Sequence, residues 1–286
     1  MNKAILFKAL QRKLKFRNPH DQRNCPKLDQ FSSSELLSAN SYIQSLEKLG
    51  ISYSHPEHST YPVAFQSMRE PPLFFEYLGQ PVWNKVPVLS VVGARKIQPS
   101  TQSWMRSELT KVLQVMPLSI CSGGAVGVDA LAHAICILEN RPTIAVMPSG
   151  LNNLYPASFA SLVPRVVAGG GAVISEFELL TQPHKSHFYH RNRLISALGC
   201  MTLVTQAGLR SGTMLTVHHC LQNGRAVVTL PAHPESHEFA GNLQIIEDGG
   251  CMVTNASALM DLFKFESNSY AMPQPTCSED FGFQAN

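Results

Sequence analysis

Ile120-Cys121-Ser122-Gly123-Gly124-Ala125-Val126-Gly127-Val128-Asp129-Ala130-Leu131-Ala132-His133 joins a short apolar run to a helix-patterned run through a glycine-rich turn. Such a turn exposes backbone N–H groups at a helix N-terminus, where the helix dipole also favours negative charge. The stretch predicts a strand–turn–helix unit and a ligand that carries phosphate. Ser122-Gly123-Gly124-Ala125-Val126-Gly127 falls one glycine short of the dinucleotide fingerprint G-x-G-x-x-G. A dinucleotide site also needs an acid at the end of the next strand to hold the ribose. The next apolar run, Thr143–Met147, ends in Pro148-Ser149-Gly150 without one. This disfavours a dinucleotide and leaves phosphate cradling open, beside the plainer reading of a tight turn packed under a helix.

Outward from this unit the alternation repeats. Strands are predicted over Val86–Val92, Leu118–Cys121, Thr143–Met147, Ala172–Ser175, Met201–Thr205, Ala226–Leu230 and Met252–Thr254. Helices are predicted over Ser100–Val115, Val126–Leu138, Ala157–Ala168, Arg191–Leu198, Gly212–Gln222, Leu243–Glu247 and Ala256–Phe263. The strands are apolar throughout, which suggests burial on both faces. The class is therefore α/β, with a doubly wound, mostly parallel sheet. Ligands of such sheets sit beyond the carboxyl ends of the strands, near the switch in strand order. Gly93-Ala94-Arg95-Lys96, the Ser122 turn, Pro148-Ser149-Gly150, Ser175-Glu176 and Arg210-Ser211-Gly212 converge on that edge.

Residues 1–80 read as a short helical N-terminal region and connector, 81–265 as the α/β domain, and 266–286 as a disordered tail. Ser33–Leu49 has helical periodicity with Ser32, Ser33 or Ser34 as N-cap, and the Pro- and His-rich 54–87 reads as irregular. Met1–Arg17 is basic and partly amphipathic, a surface helix or a loose tail. Lys8 interrupts its apolar segment, which speaks against a secretory signal. The net charge of +3 over 286 residues neither requires nor excludes nucleic acid, so a local basic cluster matters more than the total. The seven cysteines form no C-x-x-C pair, as fits reduced thiols of a cytoplasmic protein. No apolar run approaches the ~18 residues of a membrane span, and no metal-ligand spacing or ATPase P-loop occurs.

The strongest basic feature is His184-Lys185-Ser186-His187-Phe188-Tyr189-His190-Arg191-Asn192-Arg193. Arginine forks grip phosphates, and aromatic faces stack on unpaired bases. The alternative is a solvated loop whose arginines pair with acids across the fold. Arg95 and Lys96 follow the first strand, and Ser211 is placed to cap a helix behind Arg210. Together these outline a positively lined trough longer than one nucleotide needs. Asp129 and His133 share a helix face. Either Asp129 orients the turn while His133 points to the ligand edge, or the two serve helix packing. Nothing nearby forms a nucleophile-and-base pair.

These blocks, in order, resemble the DNA-processing protein A family, also called Smf. Carrying the resemblance are Val92-Gly93-Ala94-Arg95, Ser122 to His133, Ser149-Gly150-Leu151 with Tyr155-Pro156, and Ile174-Ser175-Glu176. Phe188-x-x-Arg191-Asn192-Arg193-Leu194-Ile195, Ser211-Gly212-Thr213-Met214-Leu215-Thr216, Asn223-Gly224-Arg225 and Gly241-Asn242-Leu243 continue it, over about Tyr61 to Phe263. Two positions depart from the family pattern: Asn152 stands for its aspartate and Pro231-Ala232 for its Pro-Gly. A C-terminal winged-helix module of many members is not expected, given the residues left after Phe263.

The resemblance implies an extended Rossmann-like domain that binds single-stranded DNA, forms a homodimer, and hands incoming strands to a RecA-type recombinase during natural transformation. It implies no catalysis, no cofactor and no metal. By motif position Arg95, Ser122, Gly123, Gly124, Gly127, Arg191, Arg193, Ser211 and Gly212 would line the strand; Lys185, Phe188, Asn192 and Arg210 join them from the residue reading. The rival is a nucleotide-processing hydrolase of the phosphoribohydrolase (lysine decarboxylase-like) group. Its P-G-G-x-G-T loop is absent, and Glu176 is the acid at a strand end that could substitute.

Overall fold

The computed structural model describes residues 2–14 and 26–269. In chain order the elements are α1 (Lys3–Leu14), α2 (Ser33–Lys48), β1 (Ser52–Ser54), β2 (Phe75–Gly79), β3 (Val88–Val92), α3 (Pro99–Trp104) and α4 (Thr110–Val115). A π-helical segment, Met105–Leu109, makes α3 and α4 continuous. Then follow β4 (Ser119–Ser122), α5 (Val128–Leu138), β5 (Thr143–Met147), α6 (Val163–Ala168), β6 (Ala172–Ser175), α7 (Lys185–Leu198), β7 (Met201–Val204), α8 (Gly212–Gln222), β8 (Ala226–Thr229), α9 (Ala240–Glu247), β9 (Cys251–Met252) and α10 (Ala256–Ser269).

The strands form one sheet in the order β1-β2-β6-β5-β4-β3-β7-β8-β9. From β3 to β9 every pairing between neighbours is parallel; β2 runs antiparallel to β6, and β1 antiparallel to β2. The order steps outward from β3 to β6, then returns through α7 to β7 on the other side of β3. Leu89 of β3 thus lies between Ile120 of β4 and Met201 of β7. That reversal creates a crevice beyond the carboxyl ends of β3, β4 and β7.

Alternate residues of the central strands feed two cores. Val88, Val92, Val204 and Val227 pack with Leu194, Ile195 and Leu198 of α7, Val217 and Cys220 of α8, and Ile245 of α9. Leu89, Val91, Leu203 and Val228 face Val112 and Leu113 of α4, Ala132 and Ile135 of α5, and Leu259 and Phe263 of α10. Burial on both faces explains the unbroken apolar strands, each large side chain contributing about 1.5–3 kcal/mol.

Several expectations shift. The segment 54–87, read as irregular, supplies β2, and its Tyr61, Phe65 and Trp83 join the first core. The first helix is neither a surface helix nor a tail: α1 buries Leu6, Phe7, Lys8 and Gln11, and packs on α2. Ser32 caps α2 through a capping box with Glu35. Helix 157–168 begins as a 3-10 turn over Ala157–Leu162. α7 starts at Lys185, six residues before the predicted Arg191. α10 continues through residues 266–269 of the expected tail; residues 270–286, with Cys277, and Cys25 lie outside the described residues. No described helix is long and apolar enough to cross a membrane.

Candidate nucleic-acid interface

The crevice at the strand-order switch is a cleft of about 260 Å³. Arg95 from the β3–α3 loop, Ala125 and Asp129 from the glycine loop and α5, Phe188, Arg191 and Asn192 from α7, and Ser211 to Thr213 at the start of α8 line it. Its parts are bonded to one another. The Val128 amide donates to Ala94 O at 3.1 Å, joining the two loops. Asn192 Nδ2 donates to Gly212 O at 3.3 Å, joining α7 to α8.

The glycine loop is held from inside. Gly127 has φ +91°, and a Cβ there would strike the carbonyl oxygens of Ala94 and Arg95. Gly123 makes room for Arg191: a Cβ there would overlap its guanidinium. A side chain at Gly124 would meet Met147 Cε at 2.8 Å, so this glycine faces the core. Ser122 is buried, its hydroxyl donating to Val91 O at 2.6 Å. The loop amides already have a carboxyl partner. Ala125 N–H reaches Asp129 Oδ2 at 3.4 Å, and the Gly123 amide also favours that carboxylate. Burial pushes the Asp129 carboxyl up, opposed by the charge of Arg191 and by these amides. The turn is therefore filled by its own helix, and Asp129 takes the orienting role of the two read for it.

His133 does not reach the ligand edge. Its Nδ1 lies 2.8 Å from Thr143 Oγ1, and that hydroxyl donates to Ile120 O at 2.9 Å. The imidazole must therefore be the donor to Thr143. Burial, first, and the charge of Arg191 lower its pKa to about 3, so it stays neutral.

The Lys185–Arg193 block is helical, and the helix sorts its residues. Arg191 points into the base of the cleft, its Nη1 donating to Val146 O at 2.9 Å. Burial lowers its pKa, and Asp129 opposes the shift. Arg193 points elsewhere: its Nη2 is 2.6 Å from Glu176 Oε1, and both side chains are buried. Phe188 lies between the guanidinium groups of Arg95 and Arg191, at 5.6 and 5.9 Å.

Beyond Phe188 the cleft opens into a trough of about 1180 Å³. Arg95, Lys185 and Arg210 line it, all exposed, with His184 and, among the described residues, no carboxylate. Its apolar surface is exposed too: Tyr155 (42%), Tyr189 (43%) and Leu209 (54%) stand open where a core would bury them. Ser211 caps α8 without a side-chain hydrogen bond, which leaves the first amides of an eleven-residue helix beside the trough.

Thus Arg95, Lys185, Phe188, Arg191, Asn192, Arg210, Ser211 and Gly212 are brought to one surface, and Gly123 reaches it at the rim beside Tyr155. Ser122, Gly124 and Gly127 shape the loop from within, and Arg193 is spent on Glu176. Tyr155 is not singled out as a stacking candidate in the sequence, whereas Tyr189 belongs to the aromatic and basic block read there. Tyr155 comes from a different loop; Tyr189 sits next to Phe188, and its exposure follows only from the helix phase. Glu176, the acid that a hydrolase would need, is buried against Arg193 and does not line the cleft. Among the described residues no cluster of three or more His, Cys, Asp or Glu could hold a metal.

Residues 52–264 match the family described as DNA recombination-mediator protein A. The chain belongs to this family. Protein Smf of Synechocystis is 30% identical over 209 residues, 72% of this chain and 52% of that protein, so the chain spans about half its length. The X-ray structure of DNA processing protein A from Streptococcus pneumoniae superposes with a TM-score of 0.71 at 24% identity, covering 91% of this chain and 93% of that one, and establishes the fold. The Helicobacter pylori DNA processing protein A, a protein with a described single-stranded DNA binding mode, superposes with a TM-score of 0.66 at 25% identity. That match covers 75% of this chain and 96% of the other. Within the DNA recombination-mediator family, then, the switch-point cleft and the trough lie inside the matched span.

Proposed function

We propose that this protein binds single-stranded DNA as a recombination mediator, protecting the strand and passing it to a RecA-type recombinase without making or breaking bonds. The observation that carries this reading is the trough: exposed cations and exposed aromatic faces, with no carboxylate among the described residues that line it, running out of the switch-point cleft. Phosphates meet Arg95, Lys185, Arg210 and the α8 amides, while bases stack on Tyr155 and Tyr189, with Phe188 holding Arg95 in place. Arg191 acts from beneath, as a buried charge that steadies the loop and Phe188. The stacking is blind to sequence because every base has a π-face. A strand of phosphates fits a trough of this volume better than one nucleotide does. The family membership and the Helicobacter pylori relative support the same ligand. The protein acts as a homodimer in the cytoplasm.

Mobility-shift titrations with single- and double-stranded oligonucleotides, across a salt series and with a RecA-type recombinase present, test the proposal. Preferred single-strand binding that falls steeply with salt, and faster recombinase filament formation, are the expected results. Salt-independent binding, or none, overturns the DNA reading. Binding without any effect on the recombinase overturns the mediator role. Sedimentation of the free protein tests the dimer.

A further inference from the structure

α1 and α2 precede the family match, which begins at residue 52, yet they hold the segment that feeds the cleft. Gln11 is 4% exposed and uses its whole amide. Its Nε2 donates to Phe74 O at 2.7 Å and to Glu176 O at 3.0 Å, and its Oε1 accepts from Lys8 Nζ at 3.0 Å. Lys8 is buried between the rings of Tyr42 and Phe74, facing Glu76 and Glu178. The Tyr42 hydroxyl accepts from the Leu179 amide at 2.8 Å, and Arg12 Nη2 donates to Glu178 Oε2 at 3.2 Å. Glu176, Glu178 and Leu179 are all gripped from the N-terminal helices, just before α7 begins.

The clamped segment in turn carries α7. The Glu176 side chain receives Arg193, and Phe177 stacks on His187 with ring centroids 4.1 Å apart. The same helix presents Lys185, Phe188, Arg191 and Asn192 to the cleft and trough. A rotation of α7 would move Phe188 off Arg95 and shift Lys185 in the trough.

We propose that Gln11 is a positioning residue for the DNA cleft, fixing the 176–184 segment together with Tyr42 and so setting the rotation of α7. The inference rests on the single-strand reading above.

Gln11→Met keeps the side-chain length and removes the amide; Tyr42→Phe keeps the ring and removes the hydroxyl. Each is made in the full chain and titrated with labelled oligothymidylate over a salt series, with amide hydrogen exchange measured on the free protein. The expected result is about tenfold weaker binding, with the slope of log K against log salt flatter by about 0.7 for a lost phosphate contact. Exchange should rise across 176–190 and stay unchanged in β3 and β4. A smaller folded fraction alone would weaken apparent binding without changing the slope. Unchanged affinity and slope in both variants, or unchanged exchange across 176–190, overturns the proposal. Should Gln11→Met fail to fold, Tyr42→Phe decides. If the wild-type chain ignores oligothymidylate, the single-strand reading falls. Exchange then judges the clamp by itself: a rise across 176–190 upholds it and no rise overturns it.

Discussion

The guanidinium of Arg191 occupies the space that a side chain at Gly123 would fill. A glycine that reads as an open phosphate cradle is, in the folded protein, the slot for a buried cation that also faces Asp129 and Phe188. The loop, the cleft floor and α7 therefore meet at this contact.

Gly123→Ala should force Arg191 from its slot. Overpacking of this kind costs about 1–3 kcal/mol. A urea or thermal melt should report that loss, together with weaker single-strand binding. A variant as stable as the parent, with equal affinity, would show that the slot is not needed.

Arg210 and Arg193 should behave in opposite ways. Arg210→Ala removes an exposed cation from the trough, so stability should stay within about 0.5 kcal/mol while the salt slope falls by about 0.7. Arg193→Met leaves Glu176 buried without its guanidinium, a loss of about 3–5 kcal/mol in stability. Denaturation and salt-dependent binding, measured on both variants, should separate the two roles.

Tyr155→Ala and Tyr189→Ala should each weaken binding by about 1–3 kcal/mol per base stacked. Neither ring carries charge, so the salt slope should be unchanged in both. Fluorescence anisotropy on homopolymers of different bases would measure this, and equal losses on all of them would fit sequence-tolerant stacking.

His133 should contribute to acid sensitivity. Its folded pKa, about 3, lies below the ordinary value of 6.5, so between these limits the unfolded chain binds the extra proton. Its stabilising contribution is complete above about pH 6.5 and is lost as pH falls towards 3, at up to about 1.4 kcal/mol per unit. His133→Gln should lower stability at pH 7 yet flatten its decline between pH 6.5 and 4. Urea midpoints across that range are the measurement; an unchanged decline would mean the imidazole does not titrate between the two states.

Much of this protein is legible in one dimension. Apolar runs closed by glycine and separated by helical spacing determine a parallel, doubly wound sheet, because only burial on both faces accommodates such strands. The chain order of the polar turns likewise points to the sheet edge where ligands sit. What sequence leaves open is which way each side chain looks. Arg191 and Arg193 are two residues apart, and at ~100° per residue a helix sends them to nearly opposite sides; one lies under the cleft and the other closes on Glu176. With the helix start placed at Arg191 instead of Lys185, the shared face of Phe188, Arg191 and Asn192 is invisible. The partner of the glycine loop is Asp129 of its own helix, with the Arg191 charge brought beside it from α7. Gln11 meets Glu176 from 165 positions away. Periodicity is local and survives in the sequence, whereas charge pairing and close approach depend on which distant segments the tertiary fold brings together.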